Sequence, residues 1–500
     1  MRILTLSSLI CAALCVVLFL VRMGSAISFS EPLQVVTSGW EQENFLALWR
    51  FKEDAAIYTS RFDVPFAWAI YNWLYYVAYG SFVSASSEIF SLGDAWIPTL
   101  ARLLTFAGVV FAGVLSYLSY SVVLGPLDRS FKGLAVAFAV LVAAGPLVGF
   151  WGITTRPDVW AMALEIAGVL VFWRIYRRNG PGAVLAFCVL AYMAWAFKQT
   201  NVTAVGAIGL LLLIRRDWRS LILLTVVMLG AWATTLAVGS DIYLRSILLL
   251  EYEPIVTIDE AVKILINFAM KFVPGLAIAS AFVVIVAISP PLRRAARESW
   301  WKEDQAVFPV AGLMVAAVLV LPASTHTGAA ENYYFVFSYF LSLFALWSLR
   351  KLVVERPNSS LCLKAAIAGW MLQGVAVLVV LTGFAGVLSV RPMHHHFMEN
   401  KACLDTLPRP LFVDDIYLSL PWMTPGSLPF VLTYNYLDDH KAGMRFERDG
   451  VGGMISEGFF AALALPSNTQ ESFDGASLAG YEHAEKQCPA LKIFVRKTSG

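Results

Sequence analysis

Phe66-Ala67-Trp68-Ala69-Ile70-Tyr71-Asn72-Trp73-Leu74-Tyr75-Tyr76-Val77-Ala78-Tyr79-Gly80-Ser81-Phe82-Val83 is long enough to be taken for a membrane span, and whether it crosses decides the topology of everything after it. Its asparagine, four tyrosines and two tryptophans suit a helix lying in the interface, where amphipathic rings sit at headgroup level. Around it the chain is overwhelmingly apolar: 58% hydrophobic and 14% charged over 500 residues, with mean hydropathy +0.68, against roughly 25% charged in a soluble domain. About eleven other runs have spanning length: residues 3–23, 97–124, 132–151, 158–174, 181–198, 201–215, 220–239, 264–289, 306–323, 332–349 and 365–389.

Lys and Arg in short loops concentrate on the cytoplasmic side, which tests the count. With the N-terminus inside and residues 66–83 not crossing, the cytoplasmic loops carry Arg129 and Lys132; Arg174, Arg177 and Arg178; Arg215, Arg216 and Arg219; Arg293, Arg294, Arg297 and Lys302; and Arg350, Lys351, Arg356 and Lys364. A crossing at 66–83 would move all of these outside. The expected architecture is a polytopic α-helical membrane protein with a transmembrane domain over residues 1–390. A large first outer loop, 24–96, holds the juxtamembrane helices. From Arg391 the long apolar runs stop, and short strand-like runs such as Leu411–Val413 and Leu491–Val495 predict an extracytoplasmic α/β domain over 391–500. The first apolar run exceeds a signal-peptide core and reads as an uncleaved helix. Net charge is +2, with no basic stripe interleaved with aromatics, so nucleic-acid binding is excluded. Of six cysteines only Cys403 and Cys488 fall in the outer domain, where an oxidising compartment would favour a disulfide between them.

The polar groups sit at the loops. In the first loop Ser38-Gly39-Trp40-Glu41-Gln42-Glu43-Asn44-Phe45 brings two carboxylates to the start of an amphipathic segment. A carboxylate there can take the proton of an acceptor hydroxyl, although Ser38-x-x-Glu41 also fits a capping box, in which Glu41 serves only the helix start. Thr154-Thr155-Arg156-Pro157-Asp158 opens another helix: Asp158 suits the dipole there, while Arg156 is a cation placed to meet a phosphate. Lys198-Gln199-Thr200-Asn201 joins two short spans and is therefore recessed, as polar backbone lining a wet cavity can be. Glu165, two turns inside its helix, needs a partner, and Arg102 is one choice. His326, Glu331 and Asn332 lead into Tyr333 and Tyr334, and could meet a sugar or phosphate. His394-His395-His396 reads as an interfacial tract rather than a metal site, since consecutive histidines cannot all face one ion.

The order of these segments resembles the GT-C membrane glycosyltransferases, the group of the protein O-mannosyltransferases, the aminoarabinose transferase and the rhizobial galacturonosyltransferases. The resemblance covers residues 1 to about 389. It rests on the acidic first loop with Glu41 or Glu43, the segments 44–52 and 64–83, Ala101-Arg102-Leu103-Leu104, the Arg-Pro-Asp and Lys-Gln-Thr turns, and Gly328-x-x-x-Asn332-Tyr333. The chain departs from the family in having Glu-Gln-Glu where an Asp or Asp-Glu is usual, and Pro65-Phe66 where Pro-Pro is usual.

The resemblance implies transfer of a sugar from a polyprenyl-phosphate donor to a lipid, glycan or protein acceptor at the outer face of a bacterial-type inner membrane, with inversion. Glu41, or in its place Glu43, would be the base, and Arg61, Arg102, Arg156, Asp158, Lys198, His326 and Asn332 would handle the donor phosphate or sugar. No cofactor is expected, and with cations available to the leaving phosphate no metal is required. Membrane lipids are the other partners. A transporter or flippase of lipid-linked sugars is the main rival, and it would be expected to show repeated halves. None is visible in the sequence. A non-catalytic scaffold fits less well with polar groups clustered in several turns on one face.

Overall fold

In the computed structural model the described residues are 1–33, 40–248, 256–325, 329–355, 360–382, 390–414, 419–430, 436, 439–440, 443–466, 476–485, 488–489 and 491–497. The helices are α1 Arg2–Ala26, α2 Trp40–Lys52, α3 Trp73–Phe90, α4 Ile97–Val123, α5 Arg129–Ala144, α6 Asp158–Ile175, α7 Gly180–Phe197, α8 Thr203–Arg215, α9 Trp218–Val238 and α10 Asp241–Ile247. They continue with α11 Ile258–Lys271, α12 Val273–Ile288, α13 Pro290–Glu298, α14 Asp304–Ala323, α15 Phe335–Glu355, α16 Ser360–Thr382 and α17 Val390–Leu404.

Polar caps cut the apolar chain into these pieces. The side chains of Asp128, Asn179 and Asp217 accept from Phe131, Gly182 and Ser220 N–H and so start α5, α7 and α9. Among the described residues seven helices are long and apolar enough to cross a membrane: α1, α4, α7, α9, α14, α15 and α16. The pair α11–α12 makes an eighth if counted as one span, but it is bent by 94°. The sequence reads residues 264–289 as one straight span. Pro274, in the first turn of α12, has no N–H to give back to the preceding turn and its ring would clash with a carbonyl there, so a helix cannot run straight through it, and the chain breaks at Phe272. α5 and α8 are shorter, with 16 and 13 residues, and α6 carries Asp158, Glu165 and Arg174.

Contacts at the helix ends sort them into two faces. At one, Arg102 reaches the end of α1, and Lys198 after α7 meets both Asp158 and, through it, Asn332. At the other, Arg215 pairs with Asp304, Tyr176 bonds Asp217, and Arg350 bonds Leu124 O. Helix packing relies on small residues. A Cβ added to Gly312 of α14 would collide with the Phe340 ring of α15, so the glycine is what lets that ring lie directly on the α14 backbone.

α3 is not among the helices long and apolar enough to cross. It begins only at Trp73, capped by Asn72 Oδ1. It buries Tyr75, Tyr76, Tyr79 and Val83, while Val77 and Phe82 are exposed, so one face packs and the other does not. Residues 66–71, read with it in the sequence, are not helical.

Phe66, at φ +62°, is instead inserted among Phe430, Tyr436 and Phe446 of the C-terminal unit. That unit has a four-stranded sheet, β1 Leu411–Val413, β2 Ala462–Pro466, β3 Tyr481–His483 and β4 Leu491–Arg496, in the order β1-β2-β4-β3. The β1–β2 pair is parallel and the others antiparallel. A disulfide joins Cys403, in α17, to Cys488, with Cα atoms 5.7 Å apart.

Candidate active site

Two buried carboxylate–cation pairs stand side by side on the loop face. The first is Glu41 with Arg102, both 0% exposed. Arg102 Nε and Nη2 donate to the two carboxylate oxygens at 3.2 and 3.0 Å, and the remaining donors go to the carbonyls of Ala26, Phe29 and Glu31 at 3.1, 2.5 and 2.7 Å. Glu41 also accepts from Leu33 N–H at 2.6 Å and Thr155 N–H at 2.9 Å. Every bond here ties backbone to backbone through one ion pair: the exit of α1, the first turn of α2, α4 and the turn before α6. Glu41 is enclosed, and every N–H of the Arg102 guanidinium is given to the protein. Ser38, the other half of the capping-box reading, lies outside the described residues.

The turn that Glu41 holds is held again from α2 and α3. Asn44 Nδ2 and Tyr75 Oη donate to Thr155 O at 2.9 and 3.2 Å, and Tyr79 Oη donates to Arg156 O at 3.3 Å. Arg156, 3% exposed, lies 4.0 Å over the Trp151 ring. Two residues on, Asp158 forms the second pair. Its Oδ1 accepts from Lys198 Nζ and, at 2.7 Å, from Asn332 Nδ2, and Lys198 also lies 5.2 Å over Tyr333. Asp158 Oδ2 and Asn332 Oδ1 are buried and meet no hydrogen-bond partner among the described residues.

Lys198 is recessed for the reason its flanking helices imply. α8 has only 13 residues, and its N-terminus is capped from within the bundle by Glu165. Glu165 accepts from Ala204 N–H at 2.9 Å and Asn201 Nδ2 at 3.2 Å. Its partner is thus the start of α8 and not Arg102.

Glu43, in the first turn of α2, is 5% exposed. Burial holds the Tyr71 hydroxyl well above the ordinary tyrosine range; Arg156 pulls it down, and Asp158, Tyr333 and Glu43 push it further up, so the four lie within electrostatic reach of it. Next to it Asp158, Lys198, Asn201, Asn332 and Tyr333 form the polar end of a cavity of about 260 Å³. Leu319, Val320, Ala323, Phe335 and Val336 form its apolar wall. A helix N-terminus and the Asp158–Lys198 pair at one end with hydrocarbon at the other give the cavity an amphipathic lining.

Arg61 is elsewhere. It pairs with Asp439 of the C-terminal unit at 3.2 Å, lies 4.3 Å over Trp68, and with Thr59, Ser60, Asp241, Arg245 and Ser246 lines a second cavity of about 280 Å³. Between the cavities Gln199 Nε2 bridges Ile70 O and Ile247 O. His326 lies outside the described residues. His394 turns to Glu31, at 2.6 Å, and stacks on Phe29. Among the described residues no three His, Cys, Asp or Glu side chains gather as metal ligands.

Sequence reading did not single out Tyr71 or Arg245. Tyr71 reads as one more interfacial aromatic, and Arg245 as an isolated cation; no local pattern marks either one.

Neither family models nor curated protein sequences match this chain. Solved structures do. ArnT from Cupriavidus metallidurans bound to undecaprenyl phosphate superposes with a TM-score of 0.59 at 13% identity, covering 97% of this chain and 98% of that one. Its apo state gives 0.56 at 12% identity, over 96% and 97%. The chain has the GT-C fold. The archaeal oligosaccharyltransferase AglB from Archaeoglobus fulgidus, in complex with an inhibitory peptide and a dolichol-phosphate, covers 91% of this chain and 69% of its own at a TM-score of 0.49 and 10% identity. Within the GT-C fold of this protein, the two ion pairs, the cavity beside Asp158 and the docked C-terminal unit span both ends of the chain, as the near-complete coverage of ArnT does.

Proposed function

We propose that this protein is a glycosyltransferase that moves a sugar from a polyprenyl-phosphate carrier to an acceptor hydroxyl, with Glu43 as general base. The observation that carries the reading is the cavity with Asp158, Lys198 and Asn332 at its polar end and an apolar wall opposite, with the buried Glu43 and Arg156 within electrostatic reach of Tyr71 beside it. Glu43 takes the hydroxyl proton while the acceptor oxygen forms its bond to the anomeric carbon. The bond from that carbon to the phosphate oxygen breaks, and the electron pair leaves with the phosphate. Arg156 and Lys198 stabilise the departing charge, and Asp158 with Asn332 holds Lys198 in place. Displacement in one step inverts the anomeric centre. Arg61 and Arg245 in the neighbouring cavity draw in the phosphate-bearing substrate.

The bound undecaprenyl phosphate of ArnT, on the same fold, supports a lipid-linked donor. The same reading places eleven crossings in the membrane, adding α5, α6 and α8 to the more apolar helices and taking α11–α12 as one. The N-terminus is then cytoplasmic, and the site and the C-terminal unit are extracytoplasmic, in a bacterial-type inner membrane. The test is incubation of the purified protein with a panel of polyprenyl-phosphate sugars, scoring polyprenyl phosphate release by mass spectrometry. Release with one donor, abolished in Glu43→Gln, is expected. No release with any donor, together with lipid-linked sugar flux in vesicles, would replace the transferase by a transporter.

A further inference from the structure

The end of the bundle farthest from the reaction site carries a cluster that the chemistry does not use. α14 runs about 30 Å from Asp304 to the cavity at Ala323, so the segment before it lies at the opposite face. There α13 is pinned by two apolar anchors. Leu292 is buried, and Trp300 packs against Phe282 and Trp347 at 5.5 and 5.6 Å. Trp301 beside it is 52% exposed. Between the anchors, Arg293, Arg294 and Arg297 line an open concavity of about 300 Å³ with Pro290 and Glu298.

Arg297 is four residues from Arg293 and three from Arg294, spacings at which like charges oppose the helix. Other cations at this end are spent within the protein. Arg215 binds Asp304 and Lys302 O at 2.5 and 2.9 Å, Lys351 binds Glu303 at 2.8 Å, and Arg350 binds Leu124 O at 2.6 Å. Among the described residues Arg293, Arg294 and Arg297 make no salt bridge and no side-chain hydrogen bond.

We propose that this concavity binds the headgroup of an anionic phospholipid. Three guanidinium groups that make no salt bridge among the described residues share one hollow with a single carboxylate, Glu298, at the end of the strongly apolar α12, where a membrane-crossing helix would meet the headgroups. The planar fork of arginine matches phosphate oxygens, and the exposed Trp301 ring sits where interfacial tryptophans meet headgroups. The site is independent of the transfer reaction.

Native mass spectrometry of the delipidated full chain, titrated separately with phosphatidylglycerol and phosphatidylcholine, tests this. Phosphatidylglycerol is expected to bind in preference. The variant Arg293→Gln/Arg294→Gln/Arg297→Gln should weaken it about 10²-fold, at roughly 5-fold per arginine, with the lipid-free unfolding temperature unchanged. If the triple variant fails to fold, each single variant should still lose about 5-fold. The idea is overturned by equal binding of the two lipids, or by retention of phosphatidylglycerol in the variants. An equal loss in Arg174→Gln/Arg177→Gln/Arg178→Gln, which would make the effect general surface charge, also sinks it. So does displacement by inorganic phosphate at the lipid's own affinity, which would make the hollow a free-anion site.

Discussion

Glu41–Arg102 and Asp158–Lys198 are both buried ion pairs on one face of one bundle, yet they are built for different purposes. The first closes on itself: both carboxylate oxygens are used twice and the guanidinium reaches three further carbonyls. The second lines a cavity, and Asp158 Oδ2 meets no hydrogen-bond partner among the described residues. A pair whose valences are all spent fixes geometry, whereas a pair that borders open volume can change partners when substrate arrives.

The sharpest way to break that comparison is to neutralise the carboxylates in turn. Glu43→Gln is expected to lower turnover by about 10² to 10⁴ with the unfolding midpoint unchanged, as loss of a general base does. Assays of donor hydrolysis and transfer, read beside thermal melts, check this. Activity near wild type at normal stability would exclude Glu43 and return the base role to another carboxylate of the site.

Removal of one member of the closed pair should act on the fold instead. Arg102→Ala leaves Glu41 buried and unpaired, at a cost of about 3–5 kcal/mol, seen as a large fall in unfolding midpoint and loss of folded yield. A variant that melts normally but loses turnover would show that this pair takes part in the chemistry.

Asn332→Ala tests the open pair more gently. Asp158 keeps Lys198, so stability should change by only about 1 kcal/mol, while a misdirected Lys198 should cost roughly 10-fold in kcat/KM. A stability loss matching that of Arg102→Ala would place Asn332 in the scaffold.

The smallest effect belongs to the edge of the loop face, where Lys52 Nζ donates to Asp94 Oδ1 at 2.6 Å. The hydrogen bond to Asp94 raises the Lys52 pKa. A raised lysine contributes stability that is present below its unfolded pKa and is lost as pH climbs through the higher folded value. Asp94→Asn should therefore cost about 0.2–1 kcal/mol at neutral pH, since both side chains are partly exposed. The difference should close only in the alkaline range, and pH-resolved melts of both proteins check it.

What the sequence determined by itself is the set of helices and which of their ends are polar. Apolar run length and the placing of Lys and Arg act through neighbouring residues, so α1, α4, α7, α9, α14, α15 and α16 are visible in it as spans, and Phe66–Val83 as a segment that should not cross, whereas the break between α11 and α12 was not. The polar groups Glu43, Arg156, Asp158, Lys198 and Asn332 were legible as candidates because charge is scarce in such a chain. Their roles were not. Whether Glu41 or Glu43 faces the site depends on the rotation of α2 against α4 and on Arg102, 61 residues away. That Arg61 lies in a different cavity depends on Phe66 docking into the C-terminal unit, hundreds of residues further on. Such contacts are made between helices that sequence places only by length, and Glu41 and Glu43, two residues apart, point about 200° apart around α2, so only the rotation of that helix decides which of them meets Arg102. Tertiary packing alone therefore decided that Glu41 is the carboxylate locked to Arg102.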